Sequence, residues 1–225
     1  MKETITDTWL VVPLYNEGEV IADVIQQAKK IFPFILCVDD GSKDDSAAQA
    51  LAAGAYVLKH PVNLGQGASL QTGIDFVLKQ TSAKYLITFD ADGQHQPEDA
   101  RAMHTLAEAN DLGIVFGSRF MGTPIESGWL KRITLQAVAY LSRYRTGLKL
   151  SDAHNGLRLL RRDAAQAVNL TQNRMAHASE IMGQLAATKL PYAEAPVHIR
   201  YTDYSRAKGQ SLLNSINILV DLVIR

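Results

Sequence analysis

The sequence predicts an α/β protein with a mostly parallel central sheet flanked by helices. Three observations carry that prediction. Short apolar runs alternate with helical patterns through the first 118 residues. Each apolar run stops at a polar or glycine-rich segment, as strands do where they feed into helices. Hydrophobic residues make up 47% of the 225, enough to cover both faces of a sheet and too many for a disordered chain.

The elements follow in order. Thr8 to Pro13 reads as a buried strand, and Glu19 to Ile31 as a helix with Val20, Ile21, Val24, Ile25 and Ala28 on one face. Phe34 to Val38 is a second strand, and Asp44 to Ala53 a short helix with acidic residues in its first turn. Ala55 to Leu58 is a third strand, followed by a glycine loop and a helix over Gln66 to Lys79. Tyr85 to Phe89 is a fourth strand, and Pro97 opens the next helix in its favoured first turn. Leu112 to Gly117 is a fifth strand. Strands alternating with helices require right-handed crossovers and parallel neighbours. Beyond Arg119 the pattern gives a long helix over Trp129 to Arg145, a strand over Leu157 to Leu160, a helix over Met175 to Thr188 and a strand over Ala193 to Arg200. The stretch from Gln210 to Arg225 is amphipathic, with Leu212, Ile216, Leu219 and Val223 on one face. It suits either a membrane surface or docking on the domain's own sheet or a twin subunit. Residues 1–225 read as a single domain, with 1–118 as one half and 119–225 as the other.

Charge divides along the same line. Residues 1–118 carry 8 Lys and Arg against 16 Asp and Glu, and residues 119–225 carry 15 against 7. An acidic first half suits cations and sugar hydroxyls; a basic second half suits an anionic partner. Cys37, the one cysteine, lies in an apolar run, which excludes an internal disulfide framework and fits a reducing compartment. Met1 to Thr4 is polar with no apolar run after it, so no signal peptide is expected. No apolar stretch reaches the roughly 20 residues of a membrane span.

In open α/β sheets ligands bind beyond the carboxyl ends of the strands. Here those ends hold Pro13-Leu14-Tyr15-Asn16-Glu17, Asp39-Asp40-Gly41-Ser42, Asn63-Leu64-Gly65-Gln66-Gly67, Asp90-Ala91-Asp92-Gly93-Gln94-His95 and Gly117-Ser118-Arg119. Asp90 and Asp92 are two apart in an extended segment, so both carboxylates point one way and can share a hard divalent cation. A carboxylate at Asp39 or Asp40 can accept from a base N–H or a ribose hydroxyl. Gly65 and Gly67 at a helix start are expected to cradle phosphate, although no Gly-Lys-Ser/Thr closes the loop as a P-loop would. His95 is expected to be solvated. Glu180, alone in an apolar helix, serves either as a base or as an anchor for Arg158 or a loop backbone.

Together these motifs resemble family 2 glycosyltransferases of the GT-A fold. Val12 to Glu17, Val38 to Asp44 and Asp90-Ala91-Asp92 are similar to the family's opening, nucleotide-binding and metal-binding segments. Asn63 to Gly67, Phe116 to Phe120, Asp152 to Arg158 and Arg200 to Ser211 resemble its polyprenyl-phosphate branch, which includes the dolichol-phosphate mannosyltransferases. Gly93-Gln94-His95 departs from the common loop, and the late Arg206-Ala207-Lys208-Gly209-Gln210-Ser211 run is irregular.

The resemblance implies a UDP- or GDP-linked sugar donor held by Pro13, Tyr15, Asn16, Glu17, Asp39, Asp40, Gly65, Gly67, Asp90, Ala91, Arg206 and Lys208. It implies Mg²⁺ or Mn²⁺ on Asp90, Asp92 and Gln94, and a polyprenyl phosphate acceptor met by Ser118, Arg119, Arg132 and Asn155. Asp92, Arg119 and Asp152 are the implied catalytic residues. Transfer would invert the anomeric carbon. An anionic acceptor needs positive charge rather than a general base. A saccharide or protein acceptor, and a nucleotide-sugar-binding protein without turnover, stand as alternatives. The implied setting is cytoplasmic, at the inner face of a membrane, with a membrane surface or membrane protein as partner, homo-oligomerisation open, and no nucleic acid.

Overall fold

A computed structural model of the chain describes residues 4–121, 146–152, 155–173, 176–200 and 204. The expected helix over Trp129 to Arg145 and the amphipathic stretch after Gln210 lie outside them.

The first half alternates as its sequence requires. The strands are β1 (Thr8–Leu14), β2 (Phe34–Asp39), β3 (Tyr56–Lys59), β4 (Tyr85–Thr88) and β5 (Ile114–Ser118). The helices between them are α1 (Ile21–Lys29), α2 (Ser46–Ala52), α3 (Gln66–Gln80) and α4 (Pro97–Asn110). The second half adds β6 (Arg158–Arg161), the short helix α5 (Arg162–Gln166), α6 (His177–Ala187) and β7 (Tyr192–Pro196). Helix α5 was not anticipated, because five residues carry too little periodicity to register.

The seven strands form one sheet in the order β3-β2-β1-β4-β6-β5-β7. Pairing is parallel between β1 and β2, β2 and β3, β1 and β4, and β5 and β7. Only β6 runs the other way, wedged between β4 and β5 with Arg158 opposite both Thr88 and Phe116.

Both faces of the sheet are covered, so strands β1, β2, β4 and β5 read as near-continuous apolar runs rather than alternating. Leu10, Val12 and Leu14 of β1 face a core with Ile21 and Ile25 of α1 and Ala100 and Met103 of α4. Trp9 and Val11 face the opposite core, with Leu70 and Ile74 of α3, Ala164 and Ala165 of α5, and Ile181 and Leu185 of α6. Trp9 also stacks on Phe34 at 5.3 Å. Cys37 is fully buried, and burial followed by the nearby Asp39 charge pushes its thiol up to about 12, so it is an inert core residue. Among the described residues no helix is long and apolar enough to cross a membrane.

Candidate active site

The carboxyl ends of β1, β2 and β4 meet at a cleft of about 510 Å³. Pro13, Tyr15, Glu17, Asp40, Gly65, Asp90, Ala91 and Asp92 line it, with Asn63, Gln66 and Ser69 beside them. Sequence reasoning therefore gathered residues from four separate strand ends around one space. Tyr15 is exposed at its mouth and offers an aromatic face, and the buried Ser69 hydroxyl beside the cleft has no hydrogen-bond partner among the described residues.

The loops after β1 and β2 are laced together. Ser42 Oγ accepts from the Asn16 amide (2.9 Å), Asn16 Oδ1 accepts from the Lys43 amide (2.9 Å), and Ser46 Oγ accepts from the Glu17 amide (2.7 Å). Asn16 adopts a left-handed conformation, φ 54°, that its short polar side chain tolerates. These contacts fix the strand ends without drawing on a ligand. Asp44 serves the start of α2: its Oδ1 accepts from the amide of Ser46, the first residue of that helix, at 3.0 Å, while the N-cap residue Asp45 makes no side-chain capping bond.

Asp39 and Asp40 have different roles. Asp39 is buried, its Oδ1 accepts from the Ser42 amide (3.1 Å), and its Oδ2 has no hydrogen-bond partner among the described residues. Lys59 Nζ lies 3.8 Å from that oxygen, too far for a hydrogen bond. Asp40 instead grips the glycine loop. Its carboxylate accepts from the amides of Leu64 (2.9 Å) and Gly65 (2.7 Å) and lies 2.8 Å from His60 Nδ1. Burial alone would raise the Asp40 pKa, but the His60, Leu64 and Gly65 bonds outweigh it and hold the group below its ordinary value.

This corrects the phosphate-cradle expectation for Gly65 and Gly67. The Gly65 N–H is spent on Asp40, and the Gly67 N–H on the Asn173 carbonyl at 2.9 Å. Gly67 is a close-packing site: a Cβ there would lie 2.1 Å from the Gln172 carbonyl oxygen. Gly65, at φ 105°, makes the turn into α3.

Asp90 and Asp92 project from the end of β4. His95 Nε2 sits 2.9 Å from Asp90 Oδ2, and Gly156 packs so closely that a Cβ would lie 2.5 Å from the same oxygen. Asp92 takes the Gln94 amide (3.0 Å) and Gln94 Nε2 (2.8 Å). The two carboxylates are tuned apart. Burial would raise Asp90, but His95, Arg158 and His177 outweigh it, so it lies below its ordinary value. Burial and then the Asp90 charge push Asp92 above its ordinary value. A cation would relieve that like-charge crowding, so the donor set fits a hard divalent ion. His95 corrects a second expectation. It is buried at 6% exposure, packs edge-on against Phe89, and orients Asp90 rather than standing in solvent.

At the end of β5, Arg119 and Asp152 form a bidentate pair, Nε to Oδ2 at 2.7 Å and Nη2 to Oδ1 at 2.8 Å. The Arg119 amide also donates to Oδ2, at 3.1 Å. Against the pull of burial, Arg119 holds Asp152 below its ordinary value. Ser118 Oγ lies 2.6 Å from Ser151 Oγ, and Glu194 of β7 accepts from the Ser151 amide (2.8 Å), the Ser151 hydroxyl (2.9 Å) and the Asp152 amide (3.2 Å). Asn155 is buried and caps the Leu157 amide at 2.8 Å. Glu180 accepts from the Thr171 and Gln172 amides at 2.9–3.0 Å and so anchors that loop.

Arg132, Arg206 and Lys208 lie outside the described residues. The chain after β7 does return to the site: the Arg200 amide donates to the Gln94 carbonyl (3.0 Å), and Tyr204 Oη donates to Glu17 Oε2 (2.7 Å). Sequence reasoning did not single out Glu194, Tyr204 or Arg158; Arg158 and Tyr204 carried a signal, their places in the Asp152–Arg158 and Arg200–Ser211 segments, and Glu194 carried none. A different cluster, Asp7, His104 and Glu108, brings ligand atoms within 4.8 Å of one another, but at the amino ends of the strands, where Glu108 is ion-paired with Lys84.

The model of glycosyl transferase family 2 matches residues 9–168. An uncharacterized protein of Methanocaldococcus jannaschii is 32% identical over 97% of this chain and 92% of its own length. A UDP-N-acetylglucosamine–dolichyl-phosphate N-acetylglucosaminyltransferase of Methanococcus voltae is 26% identical over 96% and 94%. A polyprenol monophosphomannose synthase of Mycolicibacterium smegmatis is 30% identical over 73% of this chain and 65% of its own. In fold, the chain is similar to glucosyl-3-phosphoglycerate synthase of Mycobacterium tuberculosis in complex with UDP, with a TM-score of 0.67, 18% identity and coverage of 96% and 78%. The chain belongs to glycosyl transferase family 2 and is a glycosyltransferase of the GT-A fold.

Proposed function

We propose that the protein transfers a sugar from a UDP- or GDP-linked donor to a polyprenyl phosphate, with inversion at the anomeric carbon. One observation carries the choice of acceptor. Asp152, the candidate base, has both carboxylate oxygens engaged by Arg119 and is held ionised. Glu194 beside it is committed to Ser151 and Asp152. An acceptor hydroxyl would need a base here; a phosphate monoester is already anionic and needs only a cation to hold it. Arg119, braced by Asp152, supplies that charge. The names of the M. voltae and M. smegmatis relatives support the same class of acceptor.

In this reading the cleft between β1, β2 and β4 receives the nucleoside. Tyr15 stacks on the base, and Asp39 Oδ2 offers its unspent acceptor to a base N–H or ribose hydroxyl. Asp90 and Asp92, with Gln94 beside them, would hold Mg²⁺ or Mn²⁺, which neutralises the departing diphosphate. The phosphate oxygen forms a bond to the anomeric carbon as the bond to the diphosphate oxygen breaks, and nucleoside diphosphate leaves. Single displacement inverts the centre. Arg206 and Lys208, shortly after Tyr204 in the chain, close on the diphosphate. The enzyme works at the inner face of a membrane, where the lipid phosphate is presented.

The test is incubation with polyprenyl phosphate in detergent or vesicles, a panel of labelled UDP- and GDP-sugars, and Mg²⁺ or Mn²⁺. The reading expects label in the lipid fraction with one donor and none in EDTA. Label passing only to a saccharide or protein acceptor would overturn it.

A further inference from the structure

Between the cation carboxylates and the acceptor arginine lies a third charge that the reaction does not account for. Arg158 is 3% exposed, on the one antiparallel strand of the sheet. Its backbone register sets it beside Thr88, two residues before Asp90, and beside Phe116, three before Arg119. Its Nε has no hydrogen-bond partner among the described residues. Two residues before it, Gly156 packs directly onto the Asp90 carboxylate, and its carbonyl accepts from Thr88 Oγ1 at 2.6 Å. Burial pulls its guanidinium down to about 10, and the charges of Asp90 and Asp152 oppose that pull. Buried charges are retained where partners repay their desolvation. Here the partners belong to two different parts of the site, so negative and positive groups alternate from Asp90 through Arg158 and Asp152 to Arg119.

We propose that Arg158 is a positioning residue whose buried positive charge sets the field at both ends of the site, moderating cation binding at Asp90 and Asp92 while strengthening the hold on an anionic acceptor at Arg119. This rests on the assignment of Asp90 and Asp92 to the cation and of Arg119 to the acceptor phosphate. His95 and Gly156 fix Asp90 independently of Arg158. Removing the Arg158 charge therefore leaves the carboxylate in place but in a more negative surrounding. The same loss takes one positive charge from the neighbourhood of the acceptor. The two effects have opposite signs, which an ordinary packing role cannot produce.

The experiment compares Arg158→Met and Arg158→Lys with the unaltered protein. Binding of Mn²⁺ alone is followed by electron paramagnetic resonance of the free ion, and the KM for polyprenyl phosphate by transfer from the active donor. Arg158→Met is expected to bind Mn²⁺ about three- to tenfold more tightly and to raise the acceptor KM about tenfold, as a unit charge several ångströms away would in a partly polar interior. Arg158→Lys is expected to keep both within about threefold. A thermal melt establishes that each variant is folded. Should Arg158→Met fail to fold, Arg158→Gln takes its place with the same expectations. Mn²⁺ binding that weakens or stays unchanged in the charge-removed variant overturns the proposal. The metal measurement needs no acceptor: tighter Mn²⁺ binding together with no transfer to lipid phosphate by the unaltered protein would leave Arg158's effect on the cation standing and refute only the acceptor reading.

Discussion

The end of the site proposed for the donor and the end proposed for the acceptor are built from different interactions. The donor end is held by neutral donors on side-chain oxygens: Asn16 on Ser42, Glu17 on Ser46, Leu64 and Gly65 on Asp40. The acceptor end is held by charge: Arg119 on Asp152, with Glu194 bracing the turn that carries Asp152. A hydrogen-bonded lattice fixes shape and loses little when one bond goes. A buried ion pair fixes charge and leaves an uncompensated group behind when one partner goes. The donor end is therefore expected to fail by losing geometry, and the acceptor end by losing electrostatics.

Substitutions can break or sharpen that contrast. The largest effect is expected at Asp92→Ala, which removes one carboxylate of the proposed cation pair without touching either lattice. Turnover should fall by about a thousandfold or more, several kcal/mol of lost charge stabilisation, while the melting temperature holds or rises. Metal-dependent turnover surviving in that variant would remove Asp92 from the cation site.

Arg119→Ala comes next. It should raise the acceptor KM about tenfold with a smaller change in the donor KM. It should also destabilise the fold toward the lower end of roughly 3–5 kcal/mol, since Asp152 is left buried and water reaches the pair only from the Arg119 side. Replacing both residues by Ala should return part of that stability in a denaturant titration. An unchanged acceptor KM would take Arg119 out of acceptor binding.

Asp40→Asn probes the donor lattice through pH. Asp40 has a depressed native pKa, so its contribution is present above the unfolded value of about 3.9 and is lost as pH falls through the native value. The variant should be about 1–2 kcal/mol less stable at pH 7, and the gap should close as pH falls through the depressed native value of Asp40. A gap independent of pH would show that shape, rather than the charged acceptor, matters at this position.

The smallest effect is expected at Glu180→Gln. Glu180 tethers the Thr171–Gln172 turn. Its amide analogue should cost about 1 kcal/mol and leave turnover within about twofold. A large fall in turnover at unchanged stability would return Glu180 to consideration as a base.

What the sequence made legible follows from distance along the chain. Strands β1 to β5 and their helices each announce themselves in a dozen residues, through apolar runs, Pro97 and the Asp44-Asp45 pair just before α2. The cleft residues could be gathered because a parallel sheet puts its strand ends on one side. Roles that depend on remote partners stayed hidden. Asp40 looks like any acidic turn residue until Gly65, 25 positions on, is found donating to it. His95 looks solvated until Phe89 and Asp90 close around it. Glu194 reaches Ser151 across 43 positions, from a strand whose polar residues give no hint of their target. The place of β6 was out of reach for the same reason: four residues cannot encode which two strands they will separate.

That place has a consequence for how the protein is made. Strands β1 to β4 neighbour one another in the sheet and can assemble as the chain emerges from the ribosome. Strand β5 is synthesised next but has no native neighbour among them, because β4 pairs with β6. Until residues 158–161 arrive, β4 offers an open edge, and pairing with β5 directly would be a register trap. A nascent chain stopped before residue 158 would thus carry the cleft between β1, β2 and β4 and its Asp90–Asp92 pair beside an unfinished border, and only the last third of synthesis seals it.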